Sequence, residues 1–115
     1  GCPAILSFLQ RSDIKIKKVV LVAGPYDANR SDAGFAPTIQ FLEQYDWAKI
    51  KANCEEFIFV HSTNDPWDCD EQEADLAFKN LGGTKVMMEN QGHFGSTAKI
   101  DPYPEFPFLI KLIEN

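Results

Sequence analysis

The sequence predicts an α/β fold: a three-layer parallel sheet, of which about three strands and their flanking helices lie in this chain. Two observations carry that expectation. Residues 18–24 and 57–61 are continuous apolar runs rich in β-branched or aromatic side chains. Such runs lack the alternation of a strand with one wet face and suit strands covered on both sides. Segments of helical apolar spacing alternate with them, and strands that alternate with helices form parallel sheets with right-handed crossovers. With 115 residues, 44% apolar and 24% charged, the chain fits one domain with one core.

Taken in order, residues 3–11 read as a helix. Pro3 suits the first turn, and Ile5, Leu6, Phe8 and Leu9 make a broad apolar face. The first strand, 18–24, ends in glycine. Residues 25–36 are rich in Gly, Pro, Asn, Asp and Ser and read as a loop, followed by a short helix over 37–45. Asp46 is placed to cap one further turn through Trp47, Ala48 and Ile50. After the strand at 57–61, Asp68 and Asp70 open a helix whose Ala74, Ala77, Phe78 and Leu81 share one face. Its acidic start, Lys79 near its end and the stop at Gly82-Gly83 agree with the helix dipole and C-cap rules. Val86-Met87-Met88 forms the core of a third strand. A last helix starts near Pro107 and buries Phe108, Leu109, Leu112 and Ile113 to varying degrees.

Composition excludes several classes. The net charge of −6 gives little to gain from counterion release, and Lys15, Lys17 and Lys18 read as a solvated strand approach, so no nucleic-acid partner is expected. Cys2, Cys54 and Cys69 match neither a disulfide framework nor a CxxC motif, which points to buried thiols in a reducing compartment. No apolar stretch approaches the ~20 residues that span a bilayer, and no signal-peptide pattern opens the chain. A cytoplasmic protein without a membrane partner is expected.

In parallel sheets, sites form beyond the carboxyl ends of the strands. One such end continues as Ser62-Thr63-Asn64-Asp65-Pro66-Trp67, and the next as Glu89-Asn90-Gln91-Gly92-His93-Phe94-Gly95. A carboxylate on one loop and an imidazole on its neighbour can meet above the sheet. The carboxylate then fixes the tautomer, and the other ring nitrogen is free to act as a general base. Asp65 and His93 are the candidate catalytic residues. They stand 28 positions apart, which leaves room for one crossover helix.

The segments Asp46-Trp47-Ala48-Lys49-Ile50-Lys51, Phe57-Ile58-Phe59-Val60-His61-Ser62-Thr63-Asn64-Asp65-Pro66-Trp67 and Asn90-Gln91-Gly92-His93-Phe94 carry a family likeness. The chain resembles the small α/β-hydrolase-fold serine hydrolases of the YdeN and retinoblastoma-binding-protein type. The resemblance implies a Ser-Asp-His triad acting on carboxylic esters or amides, with Asp65 as its acid and His93 as its base. It also implies that Trp67 and Phe94 neighbour the site, although core packing accounts for both residues equally well.

The departure from that family pattern is the nucleophile. No G-x-S-x-G elbow occurs, and Gly1-Cys2-Pro3-Ala4-Ile5-Leu6 looks like the end of one followed by its helix. The resemblance therefore implies the C-terminal part of a single α/β-hydrolase domain, residues 1–115, whose serine lies upstream and which alone is inactive. Ser7, Ser12, Ser31, Ser62 and Ser96 lack an elbow, and Cys2 reads as a packing residue. The strand at 18–24 would lose its upstream neighbour, so self-association or pairing with the missing N-terminal segment is expected.

Metal binding is the other chemistry weighed. His61, His93, Asp65, Asp68, Asp70 and the cysteines are possible ligands, but their spacing matches no zinc motif. Asp68-Cys69-Asp70-Glu71 lacks the glycine and the twelfth-position glutamate of a calcium loop. No metal or organic cofactor is expected. The alternative function is a non-catalytic α/β-hydrolase-fold module that binds another protein.

Overall fold

The computed structural model describes residues 1–95 and 105–114. Three parallel strands, β1 (Ile16–Val22), β2 (Cys54–Ser62) and β3 (Thr84–Met88), lie in the order β1-β2-β3. Val19 aligns with Phe57 and Leu21 with Phe59; on the other side of β2, Val60 aligns with Val86 and Ser62 with Met88. The architecture is α/β, with helices α1 (Cys2–Arg11), α2 (Trp47–Ala52), α3 (Glu71–Leu81) and α4 (Pro107–Glu114) around the sheet.

Alternation along the strands sorts the layers. Val19, Leu21, Phe57 and Phe59 join Leu6 and Leu9 of α1, Ile50 of α2 and Ala77 and Leu81 of α3 in the main core. Lys18 alternates with Val19 and so points to the second face. There its Nζ donates to the Leu112 carbonyl at 2.7 Å, which sets α4 against that face. β2 has a strand on each side and is buried along residues 57–62, as its unbroken apolar run requires.

Local chemistry ends the elements where expected at several points. Asp46 caps α2, its carboxylate accepting from the Lys49 amide at 3.1 Å. Asp70 caps α3 through the Gln72 amide. Gly83, at φ +97°, brings the chain so close to β2 that a Cβ there would sit 2.1 Å from the Phe57 carbonyl oxygen. Only glycine fits that approach.

Four expectations need correction. The segment 37–45 holds a short 3-10 helix, Ala36–Phe41, after which Leu42 turns extended (ψ 156°). Burying both Leu42 and Tyr45 takes precedence over continuing the helix. α3 starts at Glu71 rather than at Asp68, because Asp68 adopts a left-handed φ of 61° and its carboxylate accepts from the Gly34 amide at 2.7 Å. Phe78 is 39% exposed, its place on the buried arc being taken by Glu73. α4 begins at Pro107 as read, yet buries no residue fully, and Ile113 is exposed.

Candidate active site

β2 and β3 end side by side, and the loops that leave them are joined by side chains. The Thr63 amide donates to the Met88 carbonyl at 3.0 Å, the last backbone bond of the ladder. Beyond it, Thr63 Oγ1 accepts from the Asn90 amide (3.0 Å) and Ser62 Oγ from the Gln91 amide (2.8 Å). Asn64 Oδ1 accepts from both the Gly92 amide (2.8 Å) and the Ser62 hydroxyl (2.9 Å). Asn90 and Phe94 adopt left-handed φ values of 56° and 50°, the bends that bring the second loop back over the first. Phe94 stacks on Phe106, with ring centroids 5.4 Å apart.

This stitching brings Asp65 and His93 together. His93 Nδ1 lies 2.6 Å from Asp65 Oδ2, and the other carboxylate oxygen accepts from the Trp67 amide at 2.8 Å. A carboxylate can only accept, so Nδ1 carries a proton, and in the neutral ring Nε2 is the nitrogen with the free lone pair. Asp65 is buried, whereas a quarter of the His93 side chain is exposed. His93 borders a cavity of about 930 Å³ whose wall includes Pro3, Phe35, Phe41, Trp67 and Cys69. Among the described residues, no Asp, Glu, Lys or Arg side chain lines it. Its size and apolar lining suit a small organic ligand.

Other polar groups hold the floor of the site. His61 is fully buried on β2, its Nδ1 donating to the Cys69 carbonyl at 2.8 Å. Its Nε2 is left to accept from the Tyr26 hydroxyl at 3.2 Å. Burial lowers the His61 pKa and raises that of Tyr26, so both stay neutral. Glu73, also fully buried, accepts from the Tyr26 and Asp27 amides at 2.7 and 3.0 Å and pairs with Arg30 at 3.1 Å. Arg30 reaches Asp70 as well, so segment 26–30 is pinned to the start of α3 beside the cavity.

The sequence pattern marks neither Glu73 nor Tyr26. Glu73 stands three residues after the cap Asp70, where a capping-box glutamate would bond back to the helix start. Nothing local shows that its carboxylate instead reaches 47 residues back in the chain. Of the weighed nucleophiles, the Cys2 thiol is buried, donates to the Val22 carbonyl at 3.5 Å and has its pKa pushed up by desolvation. Ser7 hydrogen-bonds Glu43, and Ser62 belongs to the loop stitching. Ser96 lies outside the described residues. The possible metal ligands separate: Asp68 and Asp70 turn to Gly34 and Arg30, while donor atoms of Asp65, Cys69 and His93 lie within 4.8 Å of one another.

The serine hydrolase family model matches residues 1–111. The chain belongs to the serine hydrolase family. No curated protein sequence matches it. Among solved structures, this serine hydrolase is similar to the ydeN gene product of B. subtilis, with a TM-score of 0.81 and 18% identity. That match covers 99% of this chain and 59% of the YdeN chain, so the serine hydrolase described above spans about three fifths of its structural relative. At that identity the likeness establishes the α/β-hydrolase-like fold. Among the described residues, no helix is long and apolar enough to cross a membrane.

Proposed function

We propose that residues 1–115 are the C-terminal part of a serine hydrolase that cleaves carboxylic esters or amides through a Ser-Asp-His triad, with Asp65 as the acid and His93 as the base. The serine precedes Gly1, since no G-x-S-x-G elbow occurs within the chain. The observation that carries this reading is the 2.6 Å contact between Asp65 and His93 at the edge of a mainly apolar cavity.

In this mechanism His93 Nε2 takes the proton of the serine hydroxyl as its oxygen attacks the substrate carbonyl. Asp65 accepts from Nδ1 throughout and stabilises the imidazolium. His93 then gives the proton to the leaving alcohol or amine. Water repeats the sequence on the acyl-enzyme, releasing the acid and restoring the serine. The apolar cavity holds the acyl group, and no cofactor takes part. The three unpaired, buried thiols support a reducing compartment, the cytoplasm.

A serine-directed fluorophosphonate probe tests the proposal. It labels a protein extended upstream through the elbow and leaves the 115-residue chain unlabelled. Stoichiometric labelling within residues 1–115 would place the nucleophile elsewhere. No labelling of the folded, extended protein would favour a non-catalytic binding module.

A further inference from the structure

We propose that Asp65, Cys69 and His93 form a binding site for a divalent metal ion of the zinc class, and that the bound ion inhibits the hydrolase. A carboxylate oxygen, a thiol sulfur and an imidazole nitrogen, all within 4.8 Å of one another, make a donor set that suits zinc and its neighbours rather than magnesium or calcium.

The sulfur supplies the second observation. Cys2 Sγ donates to the Val22 carbonyl and Cys54 Sγ to the Glu56 carbonyl. The Cys69 sulfur has no such partner among the described residues, although the residue is only 2% exposed; its one hydrogen bond is through its backbone carbonyl. Burial first, and then the charges of Asp65 and Glu73, hold this thiol protonated. Those carboxylates oppose a thiolate but attract a cation. Arg30 offsets Glu73 and Asp70, leaving Asp65 as the carboxylate that faces the sulfur. Cys69 and His93 both border the cavity, which gives an ion its entry path and leaves room for a water as fourth ligand.

Bond lengths of roughly 2.0 to 2.3 Å put the donors of a tetrahedral zinc site about 3.3 to 3.6 Å apart. The three donors, already within 4.8 Å of one another, therefore need only small side-chain shifts to reach that spacing, and where Nδ1 ligates the Asp65–His93 pair opens from 2.6 Å. Binding releases the thiol proton to water, and the imidazole keeps one proton on the nitrogen that does not ligate. Nothing is oxidised or reduced. The sequence gives little sign of the site, because its ligands come from two loops and match no spaced motif. Binding is independent of the hydrolase proposal. Inhibition rests on it, because the metal separates the acid from the base and takes up the imidazole.

Cobalt(II) titration of the reduced 115-residue chain reads the site directly. One equivalent should give the near-ultraviolet thiolate-to-cobalt charge-transfer band together with intense tetrahedral visible bands. Cys69→Ser should abolish the charge-transfer band, while Cys2→Ser and Cys54→Ser keep it. His93→Ala should weaken binding at least about tenfold, as loss of a ligand requires. Circular dichroism establishes that each variant is folded. A folded chain without the band, or a band that survives Cys69→Ser, overturns the site. In the upstream-extended protein, micromolar zinc should slow fluorophosphonate labelling at least about tenfold, and Cys69→Ser should bring the ratio of rates with and without zinc close to one. Zinc binding with unchanged labelling overturns the inhibitory role. An extended protein that never labels overturns the hydrolase proposal, whereas the cobalt spectrum still decides the site.

Discussion

Nδ1 of His93 lies 2.6 Å from Oδ2 of Asp65, across 28 residues of chain that contain the whole of α3. The contact joins an imidazole one quarter exposed to a carboxylate that is itself buried, so the ring is oriented from its Nδ1 side while it borders the cavity.

Replacing Asp65 by Asn in the upstream-extended protein should lower kcat by about 10⁴-fold while leaving the thermal midpoint nearly unchanged. Asn keeps an oxygen for the Trp67 amide but can turn its NH2 toward the ring and reverse the tautomer. Steady-state ester hydrolysis and a thermal melt measure both quantities. Turnover equal to that of the native protein would remove Asp65 from the triad.

Glu73→Ala should cost roughly 2–3 kcal/mol, because it leaves the buried Tyr26 amide and the half-buried Asp27 amide without their acceptor and Arg30 with Asp70 as its remaining carboxylate. Urea unfolding gives the value. Glu73→Gln keeps the shape and one acceptor oxygen and should cost less. A loss below about 1 kcal/mol for the alanine variant would mean that segment 26–30 is held by other contacts.

Acid should destabilise the fold through His61. Burial depresses its pKa below the ordinary 6.5, against the opposing pull of the Cys69 carbonyl, Asp65 and Asp70. The unfolded chain therefore binds the proton first. This contribution to stability is full above about pH 6.5 and is lost as pH falls toward the folded pKa, at up to about 1.4 kcal/mol per pH unit. His61→Gln, which keeps a donor and an acceptor, should flatten the melting temperature between about pH 7 and 5. A variant with the same slope as the native chain would place the acid sensitivity elsewhere.

The 115-residue chain should self-associate. Among the described residues β1 has a sheet neighbour on one side only, and between that free edge, α1 and α4 runs a groove of about 450 Å³ lined by Ile5, Phe8, Val20, Leu109 and Ile113. Unpaired strand backbone beside apolar side chains is a template for a second strand. Sedimentation should show a dimer or larger species that Val20→Lys shifts toward monomer. A stable monomer of the native chain at high concentration would contradict this.

The strands and the first helix were legible because burial on both faces leaves a composition signature: no alternation in β1 and β2, and broad apolar spacing in α1. The meeting of Asp65 and His93 was legible because each follows a short apolar strand segment, in β2 and in β3, and the two strands lie side by side. Phe78 was misplaced because helical spacing marks an apolar arc but not its centre. That centre depends on Glu73, whose partners lie in a distant loop. The 3-10 helix, the left-handed Asp68 and the Cys69 sulfur beside His93 depend on tertiary contacts that leave no periodic trace.

Beyond the last backbone rung at Thr63 and Met88, the two loops are held by Ser62, Thr63 and Asn64 side chains bonding the amides of three successive residues, 90 to 92. Local opening then has a defined grain size. Neither loop can swing out without releasing the other, so the carboxylate and the imidazole are exposed to solvent as one cooperative unit. Amides 90, 91 and 92 should exchange with water at a common rate, slowed like strand amides despite their place in a loop. Fluctuation of this region therefore switches the pair between intact and absent, with little time spent in a half-assembled state.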